Sequence, residues 1–419
     1  MRPLFKHTAQ LLSANVIAQA VGLLVYPLLS RMYSPEDFGV LNLFLSIGAL
    51  LVLLATAEYP YSIVLPREER QARGLVRVCI LCLSAVVALV VISIPLARPI
   101  AALFKAEGLA RCWWLMPLYV LAAASWNILN YWYIRQSAFT RVSGYQVSQS
   151  LVSSGAKLGF GYAGFLQGGL IWSAVLAPLV SLGISVAAGW KSHLRLCFRG
   201  ESADVADVAR QYRNFPLFNL PRSLVNTLSC YLPALALTPV FGSAHVGLWS
   251  MAVSLGFTPV SMVTRALNQS VYGFVAERIH QGQRLLPFFR KFTFRLLAVC
   301  VPGLLLLYFV LPDLTAWLLG EQWRVSGQYI RWMLPWVCLT ILTGAAGCLN
   351  DVFSQQKWGL VFEVALCLAR VGGLLMGIAA GDFTLCIAGY CIGSVVVILP
   401  QYIWYMWLVR RYDESLPRS

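Results

Sequence analysis

The chain has 419 residues, 59% of them hydrophobic and 12% charged, with a formal net charge of +15. Soluble domains carry about 25% charged residues, so this composition excludes a chain wetted over most of its surface. No basic face with interleaved aromatics lies outside the apolar segments, which excludes nucleic acid as the reason for the positive charge.

Apolar stretches of about 20 residues, each enough to cross a bilayer, recur along the whole length. About twelve spans are predicted, at 10–30, 39–65, 76–97, 113–134, 142–164, 168–190, 215–240, 245–275, 290–312, 328–350, 358–380 and 384–409. Polar residues interrupt the fourth, fifth, eighth and tenth. The short basic start, Met1-Arg2-Pro3-Leu4-Phe5-Lys6-His7-Thr8, is followed by no small-residue cleavage site in the usual place, so the first span is expected to be uncleaved.

The first two spans are joined by Ser30-Arg31-Met32-Tyr33-Ser34-Pro35-Glu36-Asp37-Phe38-Gly39. Ser34 suits an N-cap, Pro35 the first helical position, and Glu36 and Asp37 the positive helix end. A faint echo, Thr238-Pro239-Val240-Phe241-Gly242-Ser243-Ala244-His245-Val246-Gly247, stands about half a chain later. Gly39 and Gly247 fall near the starts of the second and eighth spans, where small residues let helices approach closely. The expected fold is an all-α polytopic membrane protein, two six-helix lobes related by a parallel repeat. Its predicted parts are an N-terminal lobe over 1–190, a cytoplasmic linker over 191–213 with a short interfacial helix near Ala203–Tyr212, and a C-terminal lobe over 214–419.

Alternate loops and the two termini carry 22 Lys and Arg, and the opposite side six, among them Arg31, Arg98 and Arg324. The positive-inside bias then places both termini in the cytoplasm, where basic loops also meet anionic membrane lipids. Eleven cysteines are scattered. Cys79-x-x-Cys82 has no second pair or nearby histidines and reads as buried thiols, so neither metal nor cofactor is expected. The four histidines are far apart, and no Ser/His/Asp, HExxH or P-loop arrangement occurs, so the chain is not expected to be an enzyme.

Charges inside spans are costly and usually face a bundle interior or a wet cavity. They are Glu58, Lys157, Arg222, Arg265, Glu363 and Arg370. Asn219, Arg222, Ser223 and Asn226 share one helical face by three-and-four spacing. Their first-half counterparts are Asn15 and Gln19. At the repeat offset Arg265 falls beside the position matching Glu58. Three readings of the charges stay open: a Glu58–Arg265 latch, snorkelling to the interface, and a cationic cavity for an anionic head group, which arginine suits through its planar fork. Trp126-Asn127-Ile128-Leu129-Asn130-Tyr131-Trp132-Tyr133 reads either as an interfacial aromatic belt or as a sugar-binding face, continued by Tyr145, Gln146 and Gln149.

The string Leu29 to Gly39, and Asn214-Phe215-Pro216-Leu217-Phe218-Asn219-Leu220-Pro221 with Gly242 to Gly247, resemble bacterial polysaccharide exporters. The family is the polysaccharide transporter branch, with Wzx-type O-antigen flippases, of the multidrug/oligosaccharidyl-lipid/polysaccharide exporter superfamily. The resemblance implies alternating access around a central cavity in the inner membrane. It also implies an undecaprenyl-diphosphate-linked oligosaccharide as cargo, made for O-antigen, lipopolysaccharide or other surface polysaccharide, and partners among other membrane proteins of polysaccharide assembly. By motif, Arg31 and Arg222 are placed as cargo ligands. Arg265, Lys157, Arg370, Asn219, Asn226 and Asn127 are added from charge and position, and Glu58 is the candidate for ion coupling or gating. The alternatives are a multidrug or cation antiporter of the same superfamily and a membrane polysaccharide polymerase.

Overall fold

The computed structural model describes residues 19–190, 194, 203–353 and 355–416. Among these the regular structure is entirely helical. Twelve long helices follow one another. They are α1 (described over 19–32), α2 (Pro35–Thr56), α3 (Glu69–Ile92), α4 (Met116–Arg135), α5 (Phe139–Tyr162) and α6 (Leu166–Gly189), then α7 (Leu220–Phe241), α8 (Ser243–His280), α9 (Leu286–Leu319), α10 (Arg324–Ala346), α11 (Gln356–Ala380) and α12 (Phe383–Ser415). This order, six and six, is consistent with the expected repeat.

Ten of the described helical segments are long and apolar enough to cross a membrane, against the twelve expected. One of the other two is α1, whose predicted span begins outside the described residues. The other is α5, 24 residues long, which Arg141, Gln146, Gln149 and Lys157 make too polar to qualify by composition. The outward faces are apolar: on α9, Leu305, Leu306, Phe309 and Trp317 are all exposed. A soluble protein hides such a row, whereas lipid solvates it. The protein is therefore a multi-pass membrane protein.

By packing, the chain forms two compact units, Met1–Gly247 and Leu248–Ser419. In the first unit the predicted N-terminal turn is realised. The Ser34 hydroxyl accepts from the Asp37 amide at 3.3 Å, while the Asp37 carboxylate accepts from the Ser34 amide at 2.9 Å, a complete capping box. The hairpin before α2 lies against the hairpin before α8, and the contact is reciprocal. A Cβ on Gly39 would overlap the Ser243 carbonyl, and a Cβ on Gly247 would overlap the Pro35 carbonyl. Pro35 and Gly39 are the repeat counterparts of Ser243 and Gly247, so the two copies meet as the two sides of an isologous contact do.

The second predicted span, 39–65, is not one helix. Helix α2 stops at Thr56, Ala57 and Glu58 take left-handed backbone (φ 46° and 62°), and Tyr59–Val64 forms a 3-10 turn. Pro60 accounts for the break. Its missing N–H and its ring cannot continue an α-helix through the preceding turn. The expected linker helix forms over Val205–Gln211, capped by Asp204, and its Val208 sits beside Gly74 of α3. Lys191 and His193 of the predicted linker, like Asn15, lie outside the described residues.

In the second unit α11 and α12 cross backbone to backbone. Gly373 and Gly389 would each drive a Cβ into the other's carbonyl, and Gly377 faces the Cys386 backbone. Two GxxxG spacings, Gly373/Gly377 and Gly389/Gly393, produce this approach. On α9, Pro312 cannot donate to the Tyr308 carbonyl one turn earlier. Arg331 of α10 does so instead, Nε to O at 2.6 Å. The start of α9 is capped from far along the chain: the Asp413 carboxylate accepts from the Leu285 and Leu286 amides at 2.8 and 2.9 Å.

Candidate functional site

Two polar cavities open inside the first unit, on either side of Tyr119. The ring of Tyr119 has room because Gly48 of α2 carries no side chain where it lies. It packs edge-on against Phe44, with centroids 5.7 Å apart.

The first cavity, of about 390 Å³, is bounded by α2, the turn after it, α4 and α7. Its polar lining includes Glu58, Asn127, Asn130, Tyr61, Tyr131 and Tyr231. Glu58 is 4% exposed, and it reaches this place because the helix broke two residues earlier. Ser223 hydrogen-bonds with its carboxylate, and the Arg222 guanidinium lies nearby. Tyr61 and Tyr131 lie with ring centroids 4.8 Å apart. The Asn130 amide oxygen is buried with no hydrogen-bond partner among the described residues. Such an orphan costs about 1–3 kcal/mol unless something donates to it.

The second cavity, of about 380 Å³, lies among α1, α2, α5 and α6, and is lined by Gln19, Gln146, Gln149, Ser153 and Lys157 together with Tyr119. The amide oxygens of Gln19 and Gln146 are likewise buried without a partner among the described residues. Lys157 belongs to the Ser34 end of the bundle, since its carbonyl accepts from the Tyr33 hydroxyl at 2.8 Å. Glu58 follows the opposite end of α2, about 33 Å of helix away at 1.5 Å per residue. A carboxylate thus stands toward one end of this interior and an ammonium toward the other, with amides and tyrosines between.

The structure sorts the predicted residues. Glu58, Asn127 and Lys157 line the cavities. Arg222 is exposed on α7, one residue from the Ser223 that bonds Glu58. Asn226 is exposed on the same helix, and Asn219 is exposed at the end of a π-helical turn, Phe215–Asn219, that leads into it. Arg31 is exposed at the first hairpin. Arg265 belongs to the other unit and folds back onto its own helix, Nε to the Ser261 carbonyl at 3.2 Å. Arg370 is 4% exposed in the interior of the second unit. Its guanidinium lies 4.7 Å from the ring centre of Tyr390 and 5.1 Å from that of Trp336, and Nε donates to the Ser394 hydroxyl at 2.9 Å. That geometry braces α11 to α10 and α12.

The aromatic string on α4 divides by face. Trp132 and Tyr133 are fully buried in the unit, and the Tyr133 hydroxyl donates to the Ser185 carbonyl. They are core and not an interfacial belt. Trp126 stacks flat on Tyr145, and Tyr131 meets the cavity. Tyr61, Tyr119 and Tyr231 went unread in the sequence because a tyrosine within an apolar run looks like any core aromatic.

The fold of the chain is shared with solved membrane proteins. A multidrug resistance MATE transporter in an inward-facing conformation superposes with a TM-score of 0.72 over 96% of each chain at 14% identity. The lipid II flippase MurJ in an inward closed conformation gives 0.73, over 99% of this chain and 94% of MurJ, at 8% identity. Residues 28–328 match the family model described as polysaccharide biosynthesis protein, and the chain belongs to that family. Amylovoran biosynthesis protein AmsL of Erwinia amylovora is 24% identical over 158 residues, 37% of this chain and 41% of AmsL. The resemblance carried by the hairpin string therefore holds.

Proposed function

We propose that the protein is a flippase that moves an undecaprenyl-diphosphate-linked oligosaccharide from the cytoplasmic to the periplasmic leaflet of a bacterial inner membrane, by alternating access between lobes 1–190 and 214–419. The cargo would serve O-antigen or another surface polysaccharide. The observation that carries this reading is a cavity of amides, tyrosines and one carboxylate enclosed by apolar membrane helices, in a chain of a polysaccharide biosynthesis family. Hydroxyl-rich ligands need that chemistry, and hydrophobic drugs do not. MurJ, named a lipid II flippase, lends support because the same fold houses traffic in a lipid-linked precursor. Arg222 and Arg31 supply exposed guanidinium groups for a diphosphate, which their fork geometry favours. The excess of Lys and Arg on alternate loops supports cytoplasmic termini.

The deciding experiment is deletion of the gene followed by complementation. Deletion is expected to abolish surface polysaccharide, wild type to restore it, and Arg222→Ala to fail at normal membrane abundance. Normal polysaccharide in the deletion strain would overturn the assignment. Altered drug susceptibility with normal polysaccharide would favour an antiporter instead.

A further inference from the structure

We propose that the Glu58 cavity is a subsite for one neutral or amino sugar ring of the cargo and that it rejects uronic acids. The inference rests on the flippase reading and adds what that reading leaves open, the charge class of the sugar. Its lining offers two carboxylate oxygens on Glu58 as acceptors, beside the side-chain amides of Asn127 and Asn130. No lysine or arginine is among the lining residues. The one guanidinium near Glu58, that of Arg222, already acts on this carboxylate, so a uronate would bring a second carboxylate up to Glu58 and compete with it for a single cation. A neutral ring brings hydroxyl donors, and an amino sugar an additional N–H. The tilted pair Tyr61 and Tyr131 gives the apolar face of a pyranose an aromatic wall. The volume, about 390 Å³, is in the range of small-molecule sites and suits one ring, not a chain of them. Backbone geometry adds an independent reason to regard the place as functional. Ala57 and Glu58 both hold positive φ without being glycine, a strain that packed structure retains mostly at binding sites.

The test uses the full-length protein in lipid nanodiscs and ligand-observed saturation-transfer NMR, which detects weak sugar binding. The probes are methyl N-acetylglucosaminide, methyl glucosaminide and methyl glucuronide. Transfer to the first two is expected, with glucuronide about tenfold weaker, the worth of one charge-assisted hydrogen bond. Asn130→Ala should weaken the neutral probe. Glu58→Gln should raise glucuronide toward the others, a gain that a misfolded variant does not produce. Equal transfer to glucuronide in wild type overturns the proposal. If no glycoside binds but a sugar-free short-chain polyprenyl diphosphate does, the subsite is wrong and the flippase reading stands. If that diphosphate also fails and the deletion strain keeps its polysaccharide, both fall together.

Discussion

Arg370 and Glu58 look alike in sequence, each a lone charge in an apolar run, and the structure gives them different surroundings. Arg370 is enclosed by Trp336, Tyr390 and Ser394, all from its own unit. Two ring faces and one hydroxyl lie against its guanidinium, and an unbranched apolar side chain of similar length keeps the packing against those rings. Arg370→Met is expected to leave abundance and polysaccharide export near wild type. Arg370→Ala is expected to cost about 2 kcal/mol through lost packing and cation–π contact, seen as a lower melting temperature in detergent. Loss of export by a stable Arg370→Met protein would return Arg370 to the cargo ligands. Glu58, by contrast, faces a cavity and an orphaned amide. Counting charges within spans found both residues, but that count holds no information on what surrounds them.

At the scale of elements, the hairpins and the glycine crossings do most of the positioning. The N-cap at Ser34 was legible because it is local: Ser34 and Asp37, three residues apart, supply donors and acceptors to each other. The reciprocal packing of Gly39 on Ser243 and Gly247 on Pro35 was half legible. The sequence marks both glycines as small residues near helix starts, and only the fold shows that they meet. Either glycine replaced by alanine puts a Cβ into backbone, which cannot swing aside as a side chain tip does. Gly39→Ala and Gly247→Ala are each expected to destabilise by about 1–3 kcal/mol, measured as thermal unfolding in detergent. Gly22→Ala, where a Cβ meets nothing within 4 Å, is the control and should be neutral. The break after Thr56 was missed because residues 39–65 carry no charge apart from Glu58 and stay apolar on either side of the break. Pro60 was the available signal.

For the whole molecule, hydropathy, charge distribution and the faint internal echo pointed to a helical membrane protein before any helix was placed. The same charges are the basis of the proposed orientation. Alkaline phosphatase fused after residue 416 is expected to be inactive, and a fusion within the Arg98–Arg111 connection active, if both termini are cytoplasmic. The reverse pattern would invert the topology and with it the direction of the cargo's path. What the amino-acid order determined unaided is what depends on local chemistry or on sums along the chain: apolar length, caps, charge asymmetry and the family string. Tertiary structure alone decided which polar side chains share a space. Tyr61, Asn130 and Tyr231 lie far apart in the chain and meet only when α2, α4 and α7 pack. Tyrosines and asparagines serve equally as core, belt or ligand site, and burial next to an empty volume is what separates those roles.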